Sequence, residues 1–271
     1  MRFVITVISF LLFGQLRAQN IDIQHYRFQL QLSDETNRIS GRALVIVKYL
    51  ADARELSLDL VQEKNGKGMK AESINGRNVG GFQQQNDRLL ITLQKVVQAG
   101  AIDTIEIVYS GIPGDGLVIS KNKFGDRTFF SDNWPNRARH WIPCNDVVSD
   151  KASVEFIVTA PSYYQVISNG VQVEETNLTK NIKLTHWKEV IPIPTKIMVI
   201  GAAQFSVTSL DSSGALPVTG WVYPQNKQKG LYDYAIAPGI IAFFTRYIAP
   251  FPFQKLAHVQ STTIFGGMEN A

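Results

Sequence analysis

The chain has 271 residues, of which 45% are hydrophobic, 18% charged and 10% aromatic. This composition is typical of a globular protein and excludes a disordered, collagen-like or low-complexity chain. The 27 Lys and Arg exceed the 23 Asp and Glu by only four, and no run of five basic residues occurs. Nucleic-acid binding is therefore not expected, and the single cysteine, Cys144, excludes an intramolecular disulfide.

The first eighteen residues have the layout of a secretory signal peptide. A positive charge at Arg2 precedes the apolar stretch 3–13, which only Thr6 and Ser9 interrupt, and the small residue Ala18 follows. The alternative, a buried helix or a membrane anchor, is disfavoured because spanning a bilayer takes about 20 apolar residues. We therefore expect cleavage after Ala18, export to the periplasm or the extracellular space, and no membrane span in the mature chain.

Residues 19–209 are rich in short segments in which apolar and polar residues alternate. Residues 26–32 place four apolar side chains on one face of a strand. Similar alternation occurs at 56–60, 105–109, 154–158, 171–173, 182–184 and 205–207. Asn-Gly pairs at 65–66, 75–76 and 169–170 are typical of tight hairpin turns. We therefore predict a mainly antiparallel β domain, in the form of a sheet, sandwich or saddle, over 19–209.

The character of the sequence changes in the polar run 211–214. Between 230 and 248, apolar residues recur at helical spacing, and Pro238 either interrupts this helix or occupies its first turn. Two further prolines end the helix, and 256–265 has the pattern of an extended segment. Because the sequence stops at Ala271, four residues after a Gly-Gly turn, with its one long predicted helix unpaired, we expect 210–271 to be the truncated opening of a second domain.

The segment 259–270 combines strand-favouring side chains with the adjacent glycines Gly266 and Gly267. Without a Cβ in the way, an extended peptide could add alongside it as a further strand. Glu269, just past the glycines, could hold a substrate ammonium through charge-assisted hydrogen bonds. On the residues alone, a surface turn with solvated Glu269 and Asn270 is the alternative.

A second dense block, 132–146, is rich in Trp, Pro, Arg and Asp. This composition predicts an irregular loop held by Arg–Asp pairs and packed indoles. Arg139, Trp141 and Pro143 are expected to be structural. For Asp132, an acceptor-only carboxylate, contact with a ligand stays open.

The chain carries no local signature of a catalytic or metal site. Pro143 disfavours the helix that would join His140 to Cys144, and a buried, inert thiol is the expected state of this cysteine. The four histidines lie at least 46 residues apart and no His-Glu-x-x-His occurs. We therefore expect neither catalytic residues nor metal ligands within these 271 residues.

Taken together, these segments resemble the N-terminal part of the aminopeptidase N family of zinc metallopeptidases, the gluzincin aminopeptidases. Several landmarks stand in the family's order: His25-Tyr26, Ala138-Arg139, 143–146, Ser168-Asn169-Gly170 and Pro250-Phe-Pro-Phe-x-Lys-Leu256. Gly266-Gly267-Met268-Glu269-Asn270 matches the Gly-x-Met-Glu-Asn exopeptidase motif of that family.

The resemblance implies a saddle-like antiparallel β domain followed by the opening of a thermolysin-like α+β catalytic domain. In the family, the motif glutamate, here Glu269, binds the free N-terminal amine of a peptide substrate. The resemblance likewise gives Gly266 and Gly267 an approach to the substrate backbone, and Met268 the pocket of the first side chain. Asn270 completes this substrate-binding set. The family's Zn2+ ligands have no counterpart here, so the resemblance places them beyond residue 271.

Two positions depart from the family pattern. Where relatives commonly carry a Gln and a Glu that reach the substrate amine, this chain has Asp132 and Trp134. Asp132 can still accept a hydrogen bond and is kept as a substrate-binding candidate. The resemblance predicts an exported zinc aminopeptidase, present here as an N-terminal fragment that is inactive alone. The alternative is a secreted, non-catalytic, peptide-binding β module.

Overall fold

A computed structural model describes residues 20–211, 216–263 and 267–271. The expected signal peptide and Gly266 therefore lie outside the described residues. The strands are β1 (Ile21–Gln31), β2 (Ile39–Tyr49), β3 (Ala53–Asp59), β4 (Gly68–Gly76), β5 (Val79–Gln85), β6 (Arg88–Val97), β7 (Ile102–Ile112), β8 (Leu117–Lys121), β9 (Arg127–Ser131), β10 (Lys151–Pro161), β11 (Gln165–Ser168), β12 (Val171–Asn177), β13 (Ile182–Pro194), β14 (Ile200–Ala203), β15 (Ser206–Ser209), β16 (Val218–Val222) and β17 (Leu256–Val259). The α-helices are α1 (Lys227–Tyr234) and α2 (Ala237–Tyr247).

The largest sheet has seven strands in the order β12-β13-β10-β1-β2-β7-β4. Its neighbours are antiparallel, as predicted, except that β1 and β10 run parallel. Three smaller sheets have the orders β11-β14-β9-β8, β3-β6-β5 and β15-β16-β17. The mainly β fold class predicted from the sequence is confirmed.

The alternation in β1 has the predicted effect on burial. Tyr26, Phe28 and Leu30 are buried, whereas Arg27 and Gln29 between them are exposed. Phe28 stacks on Phe156 of β10 with ring centroids 5.3 Å apart. Fully burying an apolar side chain of this size contributes about 1.5–3 kcal/mol, so the inward face of each strand stabilises the sheet.

Only some of the turns lie where the sequence predicts them. Asn65 and Gly66 both have positive φ (54° and 77°), as expected of a tight turn that glycine and asparagine favour. The turn predicted at 75–76 is wrong, because Gly76 still pairs with Ile105 in β7 and the turn falls on residues 77–78. The turn between β5 and β6, at Asn86 and Asp87 with φ of 51° and 60°, was not anticipated.

The region after β15 contains both described α-helices. Pro238 occupies the first turn of α2, which was one of the two alternatives. Within the described part of the extended segment expected over 256–265, the strand covers β17, which pairs in parallel with β16. β15, which ends at the predicted domain boundary of 209/210, pairs with β16 beyond it. Among the described helices, none combines the length and the apolar character that crossing a bilayer requires.

Candidate functional site

A cavity of about 710 Å3 lies between the sheet β11-β14-β9-β8 and the chain that follows β16. The sheet contributes side chains such as Phe130, Ser131 and Ser168 to its wall. The later segments contribute aromatic and polar residues, among them Tyr223 and Gln260. The cavity is therefore formed where the β domain meets the segment that carries the Gly-x-Met-Glu-Asn match.

Part of that motif lines the cavity. Gly267, Met268 and Asn270 are among the lining residues. Glu269 is exposed to solvent and is not one of the described lining residues. Its Oε1 lies 3.7 Å from the position that a Cβ would take at residue 267, so the carboxylate folds over Gly267. An exposed carboxylate in this place is free to accept hydrogen bonds from an ammonium group.

The segment 267–271 has no regular secondary structure, and β17 ends at Val259. The strand expected through residue 265 is thus shorter in the described chain. Among the described contacts, one hydrogen bond holds the segment to the β domain. Asn169 donates from Nδ2 to the carbonyl oxygen of Ala271 over 2.5 Å, so the sequence landmark at 168–170 contacts the motif region directly.

Asn169 lies where the chain passes from one sheet to another. Asn169 and Gly170 connect β11, which pairs with β14, to β12, which pairs with β13 in the large sheet. The hairpin expected at this Asn-Gly pair is therefore wrong, since the two strands belong to different sheets. Gly170 has φ of 70°, and a Cβ there would lie 1.9 Å from the carbonyl oxygen of Lys188, so only glycine fits.

Asp132 lies apart from the motif. It is buried at the end of β9, and its Oδ2 pairs with Arg137 Nη2 over 2.5 Å. Its Oδ1 has no hydrogen-bond partner among the described residues, and Asp132 does not line the described cavity. Trp134, which stands where relatives commonly have a glutamate, is 57% exposed.

The rest of the 132–146 block is structural, as predicted. Arg139 Nε contacts Asp146 Oδ2 over 3.1 Å, and the Trp141 ring stacks on Phe156 with centroids 6.0 Å apart. Cys144 is fully buried, and burial raises the pKa of its thiol well above the ordinary value, with Asp146 and Asp59 adding to the effect. Such a thiol stays protonated and is a poor nucleophile.

Two histidines meet a carboxylate on the outer face of the large sheet. His186 Nε2 is 3.2 Å from Glu155 Oε2 and His25 Nε2 is 3.9 Å from Glu155 Oε1. Two stronger partners already hold that carboxylate, Arg27 at 2.9 Å and Lys188 at 3.1 Å. Burial alone would raise the pKa of Glu155, and the hydrogen bonds from Lys188 and Arg27 outweigh it and lower that pKa.

These groups do not form a metal site. Arg27 and Lys188, both within hydrogen-bond distance of the Glu155 carboxylate, would repel a further positive charge. In residues 20–211, 216–263 and 267–271, no three His, Cys, Asp or Glu side chains are placed to hold a metal ion. The described residues therefore do not fit the Zn2+ of the resembled family.

Lys255, which the sequence marked only as a landmark, lies on the wall of the cavity. Its Nζ sits 5.0 Å from the centroid of the Trp187 ring, a cation–π contact between the later segment and β13. Burial lowers the pKa of Lys255 to about 8, and the charge of Glu189 opposes this shift. No pattern in the sequence separates this lysine from a solvated one.

Comparisons with known proteins agree with this architecture. Residues 23–197 match the Peptidase M1 N-terminal domain. Glutamyl aminopeptidase of Rattus norvegicus is 23% identical over 238 residues, which are 83% of this chain and 25% of the rat protein. Glutamyl aminopeptidase of Homo sapiens is 26% identical over 119 residues, 44% of this chain and 12% of the human protein.

A solved structure shares the fold. The crystal structure of the M1 zinc metallopeptidase from Deinococcus radiodurans matches with a TM-score of 0.70 at 19% identity, over 88% of this chain and 56% of that chain. In comparison with the rat glutamyl aminopeptidase, the chain spans about a quarter of the length of the relative. Because the domain match extends over more than half of the 271 residues, the chain belongs to the M1 peptidase family, the family that its motifs resemble.

Proposed function

We propose that this chain is the N-terminal part of an aminopeptidase that removes residues from the free amino end of peptides. The observation that carries the proposal is the position of the motif. Gly267, Met268 and Asn270 border a cavity against an M1 N-terminal domain, and the Glu269 carboxylate is exposed beside them. Membership of the M1 family supports the reaction class.

In this proposal Glu269 sets which bond is cleaved. Its carboxylate accepts hydrogen bonds from the substrate ammonium and so holds the chain end in one register. Gly267 leaves room for the substrate backbone, since no Cβ projects from it. The Zn2+ of an M1 metallopeptidase supplies Lewis-acid chemistry when bound, and we propose that residues outside these 271 hold it.

The test begins with the gene and continues with kinetics. Reading the coding sequence past codon 271 for His-Glu-x-x-His decides whether a metal-binding helix follows. In the complete protein, Glu269→Ala should cost about 2–5 kcal/mol in kcat/KM with free-amine peptides, because the ammonium loses its charged partner. Amino-terminally acetylated versions of the same peptides lack the ammonium and should lose far less.

The controls separate recognition from folding. Asn177→Ala, at an exposed position in β12, should leave both kcat/KM values unchanged. Equal losses for free and acetylated peptides would make Glu269 structural and refute its amine-binding role. Peptide binding without hydrolysis in the complete protein would favour the non-catalytic module instead.

The substrate panel starts with an N-terminal glutamate, because the relatives in rat and human are named glutamyl aminopeptidases. Leucyl and lysyl versions of one anilide provide the comparison. A kcat/KM for the glutamyl substrate at or below that for the leucyl one would exclude the same preference in this protein.

We also propose that the protein is exported with cleavage after Ala18. The proposal rests on the charged start, the short apolar run and the small residue in that order. N-terminal sequencing of the secreted product should begin at Gln19, and a product that retains Met1 would refute export by this route.

A further inference from the structure

We infer that two side-chain contacts from the β domain set the position of Glu269, and that Asn169 and Thr262 are positioning residues for substrate binding. The inference rests on the proposed amine-binding role of Glu269. Asn169 holds the chain two residues after Glu269, and Thr262 holds it seven residues before. Neither side chain carries a charge, and neither belongs to the Gly-x-Met-Glu-Asn motif.

Both the Nδ2 and the Oδ1 atom of the Asn169 side chain have hydrogen-bond partners. Nδ2 donates to the carbonyl oxygens of Ile197 at 2.9 Å and Ala271 at 2.5 Å. Oδ1 accepts from the backbone N–H of Val199 at 2.7 Å. Because Asn169 is 1% exposed and bonded on both sides, its amide cannot rotate, and the Ala271 carbonyl is held against the β domain.

Thr262, which lines the cavity, is held by hydroxyl groups of the β domain. Its Oγ1 lies 2.9 Å from Ser120 Oγ on β8 and 3.2 Å from Thr128 Oγ1 on β9. Thr128 is fully buried, so this hydroxyl cluster lies within the four-stranded sheet. Gln260 adds a backbone bond, from its N–H to the carbonyl oxygen of Trp221 at 2.9 Å.

Both contacts come from the same four-stranded sheet or its immediate end, since Asn169 follows β11 and Thr262 contacts β8 and β9. The eight residues 263–270 between the two held positions include the motif. The segment 267–271 has no ladder of its own, so these contacts determine where it lies. A misplacement of about 1 Å in a substrate-holding group can cost a factor of about 100 in rate.

Two substitutions test the inference without removing a core side chain. Thr262→Val keeps the branched shape and removes the hydroxyl. Asn169→Asp keeps the acceptor for Val199 and places an oxygen where Nδ2 donated to two carbonyls. Thr262→Ser retains the hydroxyl and is the rescue variant, and Asn177→Ala is the matched asparagine control. Near-ultraviolet circular dichroism checks that each variant is folded.

The first measurement uses the present chain and does not depend on catalysis. Backbone amide order parameters of 267–271, measured by NMR relaxation, should fall below about 0.6, the range of flexible backbone, in Thr262→Val and Asn169→Asp, because each variant releases one held end. Thr262→Ser and Asn177→Ala should keep the order parameters of the parent chain. Unchanged order parameters in both test variants would overturn the inference, whatever Glu269 does.

The second measurement uses the complete protein. With free-amine peptides, kcat/KM should fall about 10- to 100-fold in both test variants, mainly through KM, and Thr262→Ser should restore it. Acetylated peptides should change little, which a general loss of structure would not produce. Lower order parameters with equal losses for both peptides would refute the role of Glu269 and with it this inference, whereas unchanged order parameters leave that role intact.

Discussion

The β domain and the helical region that follows β16 differ in how they treat their apolar side chains. In the β domain, large residues such as Phe28 and Trp141 are fully buried in the main core. In α2 and its flanks, Ile236, Phe243 and Tyr247 are 68%, 56% and 62% exposed. Strand pairing and inward alternation bury the apolar side chains of the first region. In the second region, the apolar side chains of α2 are largely exposed among the described residues.

One cluster joins the two regions. Trp187, Phe205, Trp221 and Tyr223 form a second small core, in which Phe205 packs edge-on against Trp221 with centroids 5.8 Å apart. β15 and β16 form the ladder beneath it. This cluster and the hairpin add to the hydrogen bonds of Asn169 with Ala271 and of Ser120 with Thr262, and experiments that separate the regions test how independent the β domain is.

The largest effect is expected from cutting the chain between the regions. Residues 19–209 should fold alone and unfold cooperatively, because they contain nearly all of the main core. Residues 210–271 alone should lack stable structure. Limited proteolysis of the chain should leave a resistant fragment that ends near residue 211, and uniform protection up to residue 271 would contradict this independence.

Removing one core indole should destabilise the β domain strongly. Trp141→Ala deletes a fully buried ring that stacks on Phe156 and donates to Asn133 Oδ1 at 2.8 Å. We expect the free energy of unfolding to fall by about 3–5 kcal/mol, the cost of a large core cavity. Urea denaturation measures it, and a loss below about 1 kcal/mol would mean that this corner does not contribute to the core.

A smaller, pH-dependent effect is expected in β17. Burial lowers the pKa of His258, whose ring stacks on Tyr234 with centroids 5.0 Å apart. A folded-state pKa below 6.5 means that the unfolded chain binds the proton first, so stability falls as the pH drops through about 6.5. His258→Phe keeps the stacking and removes the titration.

Between pH 7 and pH 5, the unfolding free energy of His258→Phe should therefore fall less than that of the parent chain. The difference should be less than about 1 kcal/mol, because the His258 ring is partly exposed. Urea midpoints across this range measure it. His25 and His140, whose pKa values burial also lowers, are present in both proteins, so the difference isolates His258. Identical profiles would contradict the assignment.

The smallest effect is expected on the exposed face of α2. Phe243→Ala should change the free energy of unfolding by no more than about 0.5 kcal/mol, because its ring already contacts water. The same urea experiment as for Trp141→Ala gives a direct comparison. A loss of several kcal/mol would show that this face is covered in solution and would narrow the difference between the two regions.

The sequence by itself determined the properties that depend on neighbouring residues. Alternation in 26–32 specified which side chains of β1 face inward, because successive strand residues point to opposite faces. Asn65-Gly66 specified its turn, since both residues tolerate positive φ. The composition of 132–146 predicted a structural corner, and the order of motifs predicted the M1 family that the domain match then supported.

Only the tertiary structure decided which distant segments meet. The parallel pairing of β1 with β10 joins residues more than 120 positions apart, and no local pattern encodes that choice. The same holds for Lys255, whose Nζ lies over the Trp187 ring of β13, 68 positions earlier in the chain. It holds equally for Asn169, whose amide reaches Ala271 across 102 positions. Hydrogen bonds of this kind depend on where the sheets place the backbone, so the sequence supplies the groups and the packed fold supplies their partners.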